Sequence, residues 1–277
     1  MRYQRVKFCD VYYLADSIWK AVISPSDELI LETFLNPVGD GFSSIIATPS
    51  RYTTLHYFIN GYYNYLLDEF ERKAEVDTVI DEYEFILKSY GIEIMEESDK
   101  EIVVDEYGWC EEDECHYHIH NDRYYPFYND HDEIYDILRS FMPIDDIVNT
   151  TFQVLFNDRE FLYCFNQKLA ETIRMLKVAD YPEILEKDGV LKRSSLPAWA
   201  KRGVFFRDRG RCIKCGKDLT GTVVTGEVVH YDHIVPLAEG GTNDPTNFQT
   251  LCSACNLKKG KLLTGTSDLY PTYWEMG

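Results

Sequence analysis

Two cysteine pairs, Cys212-Ile-Lys-Cys215 and Cys252-Ser-Ala-Cys255, constrain this chain more than any other feature. Each is a C-x-x-C knuckle, and two knuckles together supply four thiolates in the tetrahedral arrangement that suits a structural Zn2+. The alternatives are two unrelated thiol pairs or a redox motif. One knuckle alone would not decide. Two, each beside glycine-rich or polar turns, favour zinc. Between them lie 36 residues, more than the roughly 15–20 of a simple zinc ribbon, so something is inserted.

Within the insertion, residues 230–241 read HYDHIVPLAEGG. An acid stands beside an imidazole at the end of a strand-like stretch, a pairing core strands avoid because a buried unpartnered charge is costly. EVVHYD at 227–232 predicts a strand. Pro236 cannot donate a ladder hydrogen bond, and Gly240-Gly241 permit a turn. NFQTL then predicts a second strand and SACNLKKG a helix. Strand, loop, strand and helix form a compact V too small to hold itself with a core, so the four-cysteine zinc is expected to staple its base.

RCIKCG at 211–216 and HYDHIVPLAEGGTNDPTNFQTLCSACNLKKG at 230–260 resemble the HNH endonucleases, also called ββα-metal nucleases. The resemblance covers about the last third of the chain. It implies that Asp232 and Asn256 ligate a catalytic Mg2+ or Mn2+ and that His233 is the general base. It also implies that Asn247 bonds backbone across the loop so that His233 points correctly. Cleavage in this family commonly leaves a 5′-phosphate and a 3′-hydroxyl. The residue chemistry agrees, since a neutral imidazole titrates near working pH and Asp and Asn offer the hard oxygens Mg2+ prefers. The bland alternatives are a buried histidine satisfied by backbone for His233 and a helix-start cap for Asn256. His230 shares a strand face with Asp232. It is a supporting residue, an extra ligand or a plain surface residue, and the sequence leaves all three open.

The chain holds 28 Lys+Arg and 47 Asp+Glu, a net charge of −19. From Val190 onward there are 12 Lys+Arg and 8 Asp+Glu, a net of +4; the remaining 16 and 39 give −23 for residues 1–189. This shift places an expected domain boundary near residue 190, with Pro182, Gly189 and KRSS at 192–195 as a linker and LPAWAKRGVFFRD as a short helix. Arg207, Arg209, Arg211, Lys214, Lys258, Lys259 and Lys261 are candidate phosphate contacts, although any one of them is equally read as part of a solvated basic face. Nucleic acid, DNA foremost, is the expected partner on this side.

Residues 1–189 carry no recognised motif. Three- and four-residue periodicity predicts helices over 53–90, with a stop at Gly91, and over roughly 131–180, with a break at Pro143. IEIMEESDKEIVVD at 92–105 predicts a hairpin. Cys110, Cys115, His116, His118 and His120 cluster as a second metal site or as an alternating strand in a solvated loop; Cys9 and Cys164 read as core thiols. No apolar run spans a membrane, and Asp10 and Asp16 interrupt any signal-peptide core, so a cytoplasmic location is expected. A net of −23 repels nucleic acid. The acidic part is therefore expected to dock a protein partner, cover the basic module or oligomerise it. That architecture is analogous to effector subunits of bacterial defence or restriction systems. The expected whole is α+β: a mainly helical acidic domain at 1–189, partner-binding or regulatory, and a small zinc-stapled ββα-metal (HNH) nuclease domain at 190–277. The alternative function is a non-catalytic zinc module binding nucleic acid or a partner.

Overall fold

The computed structural model describes residues 10–23, 42–92, 131–221, 228–259 and 265–267. Among these the helices are α1 (Val11–Ile23), α2 (Phe42–Ala47), α3 (Thr54–Lys73), α4 (Val76–Tyr90), α5 (His131–Phe141), α6 (Ile144–Phe156), α7 (Arg159–Met175), α8 (Ala198–Arg207) and α9 (Ser253–Lys259). The strands β1 (Leu185–Lys187) and β2 (Val190–Leu191) form one antiparallel sheet, and β3 (His230–His233) and β4 (Phe248–Leu251) another. The protein is mostly helical, with its small sheets toward the C-terminal end. No helix among the described residues is long and apolar enough to cross a membrane.

The chain divides into two compact units, Met1–Tyr12 with Tyr63–Val148, and Tyr13–Tyr62 with Asn149–Gly277. In the first, α4 buries Val79, Ile80, Tyr83, Ile86 and Leu87 at helical spacing and packs on α5 through Ile134, Tyr135 and Leu138. Helix α4 stops at Gly91, in the left-handed conformation (φ 70°). The hairpin expected at 92–105 lies outside the described residues, apart from Ile92, as does the cysteine–histidine cluster at 110–120.

In the second unit, α7 starts at Asp158, whose carboxylate accepts the Phe161 N–H at 3.0 Å, and buries Phe161, Phe165, Leu169 and Ile173. The first half of α3 adds Leu55, Phe58, Ile59 and Tyr62 to the buried core, with the Phe58 and Phe165 rings 5.7 Å apart. Thr53 and His56 cap the start of α3: Thr53 N–H donates to His56 Nδ1 at 3.1 Å, while His56 N–H reaches back to Thr53 Oγ1 at 3.4 Å. This is a capping box with an imidazole in the place of the usual Glu or Gln. The stretch expected as a linker is instead built into the unit. Leu185 pairs with Leu191 in the β1–β2 hairpin, and both are buried. Burial of these leucines orders a segment whose polar neighbours suggest a tether.

Candidate active site

The knuckles come first, because they anchor both ends of the β3–β4 region. The four Sγ atoms of Cys212, Cys215, Cys252 and Cys255 lie within 4.8 Å of one another, and those of Cys215 and Cys252 are 3.8 Å apart. Tetrahedral zinc with bonds of about 2.3 Å sets its sulfurs roughly 3.8 Å apart, so the four side chains fit a structural zinc. Burial pushes the Cys212 thiol up, but backbone N–H groups of Cys252, Cys215 and Lys214 outweigh it and hold it at about 7. Burial and then the neighbouring thiols push Cys255 up to about 12. A divalent cation relieves this competition for protons by binding the deprotonated set. Cys212, Ile213, Leu219, Leu251 and Cys252 make a small apolar core around the knuckles.

Strand β3 pairs with β4 in the register His230–Leu251, Tyr231–Thr250, Asp232–Gln249 and His233–Phe248. The loop between the strands is pinned by Asn247. Its Oδ1 accepts from Val235 N–H, and its Nδ2 donates to the carbonyls of Val235 and Thr242, all at 2.9 Å. Asn247 O also accepts from Ile234 N–H at 2.7 Å. Gly241 is required by close approach, since a Cβ there would sit 1.8 Å from Val235 O. At Gly240 (φ 85°) a Cβ would sit 2.6 Å from Ala170 O of α7.

Residues 241–250 are buried without a break although most are polar. Each buried polar group then needs a partner, and distant segments supply them. Asn243 donates its backbone N–H to Ile46 O and its Nδ2 to Ala47 O and Lys192 O, while its Oδ1 accepts from Ser194 N–H. Asp244 accepts from Thr54 N–H with one oxygen and from Thr246 N–H with the other, both at 2.8 Å. Burial raises the Asp244 carboxyl above its ordinary range. Asn166 of α7 reaches Thr246 Oγ1 at 3.4 Å.

His233, at the end of β3, is 5 % exposed and tilted against Phe248 with ring centroids 4.2 Å apart. Burial, and after it the charge of Arg193, lowers its pKa to about 4, while an Asn243 side-chain hydrogen bond acts in the opposite sense. The ring is therefore neutral at neutral pH, and its Nε2 is buried without a hydrogen-bond partner. Asp232 Oδ2 lies 2.5 Å from Lys259 Nζ and accepts from Gln249 Nε2 at 3.3 Å. Lys259 also donates to His233 O. Asn256 of α9 brings its Nδ2 within 3.4 Å of His230 Nδ1, and His230 Nε2 is 3.2 Å from Ser253 Oγ. Where α9 packs on β3, His230 thus meets Asn256, while Asp232 is held by Lys259 and Gln249.

The basic residues divide. Arg209, Arg211 and Lys258 are exposed and Lys214 half-buried; Lys261 lies outside the described residues. Arg207 and Lys259 are internal, paired with Asp208 and Asp232. Asn243 and Asp244 stand in a T-N-D-P setting that reads as an ordinary turn, and Arg193 in an apparent linker, so no motif marks them.

No curated protein and no solved structure matches the chain. Residues 212–262 match the family model described as HNH endonuclease, and with its four metal-poised cysteines the C-terminal module carries an HNH domain.

Proposed function

We propose that the protein is a metal-dependent endonuclease that hydrolyses phosphodiester bonds of DNA. The observation that carries this reading is the neutral His233 with an unpartnered Nε2, adjacent to Asp232 and held by the loop that Asn247 pins. In this mechanism His233 Nε2 takes a proton from water as the water oxygen bonds to phosphorus. The bond from phosphorus to the 3′ oxygen breaks, leaving a 5′-phosphate and, after protonation from solvent, a 3′-hydroxyl. Asn247 keeps the loop in register so that the imidazole does not swing away.

Asp232 and Asn256 would hold Mg2+ or Mn2+, with His230 as a neighbouring nitrogen donor. The donor set fits, because among the described residues the polar contacts of Asp232, to Lys259 and Gln249, both engage Oδ2 and leave Oδ1 for a cation. A bound divalent ion would supply Lewis-acid stabilisation of the phosphoryl and leaving oxygens. Lys259 balances the Asp232 charge from inside the module and ties it to the His233 carbonyl. The strongly acidic residues 1–189 support a partner-binding or regulatory role, as in an effector subunit of a larger bacterial defence or restriction complex.

The test is plasmid cleavage with Mg2+ or Mn2+, alone and with co-purified partners, for the wild type and His233→Ala. Loss of cleavage in the variant, with binding retained, is the expected result. Equal cleavage by both removes His233 from the mechanism. Binding without cleavage by the partner-complexed wild type favours a non-catalytic zinc module.

A further inference from the structure

Three exposed cations that the HNH match does not include stand on segments joined to the β3–β4 hairpin or its loop. Arg51 lies over the Trp199 ring, with Cζ 5.3 Å from its centroid. Lys201 lies over Tyr231, with Nζ 5.9 Å from its centroid. Trp199 and Tyr231 both pack on one apolar cluster of Leu196, Ala200, Val204 and Phe248, and Phe248 is the residue whose ring meets His233. The third cation, Arg193, stands between Lys192 and Ser194, whose backbone O and N–H both bond the Asn243 side chain in the loop between β3 and β4.

The backbone beneath two of these cations is fixed by two adjacent buried side chains, Asn243 and Asp244. Asn243 holds Lys192 O and Ser194 N–H on either side of Arg193. It also holds Ala47 O, and Asp244 holds Thr54 N–H, so the segment carrying Arg51 is tied at both ends. Among the described residues none of the three cations forms an ion pair. Exposed positive charge on a fixed frame suits an anionic ligand.

We propose that Arg51, Lys201 and Arg193 form a lane that binds successive phosphates of a nucleic-acid backbone and leads one of them to His233. The lane reads backbone rather than bases. Each ring carries a cation over one face and packs on the apolar cluster, so neither offers a free platform for base stacking. Arg193, on backbone that Asn243 fixes to the loop after His233, is the cation of the lane assigned to the phosphate to be cut. This inference rests on the nuclease reading and adds residues from outside the HNH match to its substrate surface.

The test uses the full chain without added divalent cation and fluorescent duplexes of two unrelated sequences, with affinity measured by anisotropy across a salt series. Arg51→Gln, Lys201→Gln and Arg193→Gln each weaken binding roughly 3- to 10-fold on both duplexes. Each also reduces the slope of log K against log salt by about 0.9. Arg193→Lys restores the slope, and Lys88→Gln, which removes an exposed lysine of α4, leaves it unchanged. In cleavage with Mg2+ or Mn2+, Arg51→Gln and Lys201→Gln raise KM, whereas Arg193→Gln also lowers kcat. If the wild type binds and cuts while the triple variant keeps its affinity and slope, the lane is wrong and the nuclease reading stands. Losses confined to one duplex overturn backbone reading. A wild type that neither binds nor cuts overturns both.

Discussion

Arg207 carries its guanidinium at 1 % exposure against Asp208, with Nε 2.9 Å from Oδ1, and above the Phe156 ring at 5.0 Å. Asp208 in turn accepts from Thr250 N–H at 2.7 Å. The pair clamps the end of α8 to β4, so Arg207→Ala is expected to act on stability. Removing one member of a buried ion pair costs about 3–5 kcal/mol because the other charge is left uncompensated. Denaturant unfolding checks this, and loss of DNA affinity with unchanged stability would contradict it. His56 offers a second residue-scale test. Burial lowers its pKa to about 4 from an ordinary 6.5, so the unfolded chain binds the extra proton between those values. The corresponding stability is complete above pH 6.5 and is lost as pH falls toward 4, at most about 3 kcal/mol. His56→Phe keeps a ring between Tyr52 and Phe152 and should flatten the fall of Tm over that window. At this scale the cysteine knuckles were legible, because their meaning lies in short spacings. The burial of Arg207 and Lys259 was not, because Phe248, Phe156 and Asp232 reach them only through the fold.

Helix and strand identity were legible wherever periodicity ran long enough. The reading of 53–90 corresponds to α3 and α4, that of 131–180 to α5–α7, and NFQTL to β4. The β1–β2 hairpin escaped because strands of three and two residues carry no alternation. The loop before β4 escaped for a different reason: its polar residues read as solvent-facing, yet they are buried against hydrogen-bonding partners almost two hundred residues away. Asp244 is central to it. Its carboxylate accepts from the first N–H of α3 as a helix cap delivered from another segment, where the helix dipole favours an anion. Asp244→Ala leaves the N–H groups of Thr54 and Thr246 unpaired, at about 1–3 kcal/mol for such a loss. Hydrogen exchange should show the start of α3 and the loop at 241–250 opening together in this variant. Loss of protection in the loop alone would contradict the capping role.

At the scale of the whole molecule, charge and connectivity divide the chain differently. Charge changes sign near residue 190, but the compact unit that holds the HNH module also takes in Tyr13–Tyr62 and the residues from Asn149 on. The cysteine knuckles hold the base of the ββα element, while Ile46, Ala47, Thr54 and Asn166 satisfy the polar groups of the loop between His233 and β4. A fragment of residues 190–277 keeps all four cysteines and loses those partners. Zinc is therefore expected to order its knuckles but not its loop, since several polar groups would have to be buried unpaired. With zinc supplied, amides of 212–219 and 252–259 in the fragment should exchange slowly and those of 241–250 quickly, and plasmid cleavage should be lost. Adding residues 1–189 in trans should restore protection of the loop and cleavage together. A fragment that protects its loop and cuts unaided would show that the zinc-stapled module needs no support from the helical part of its own unit.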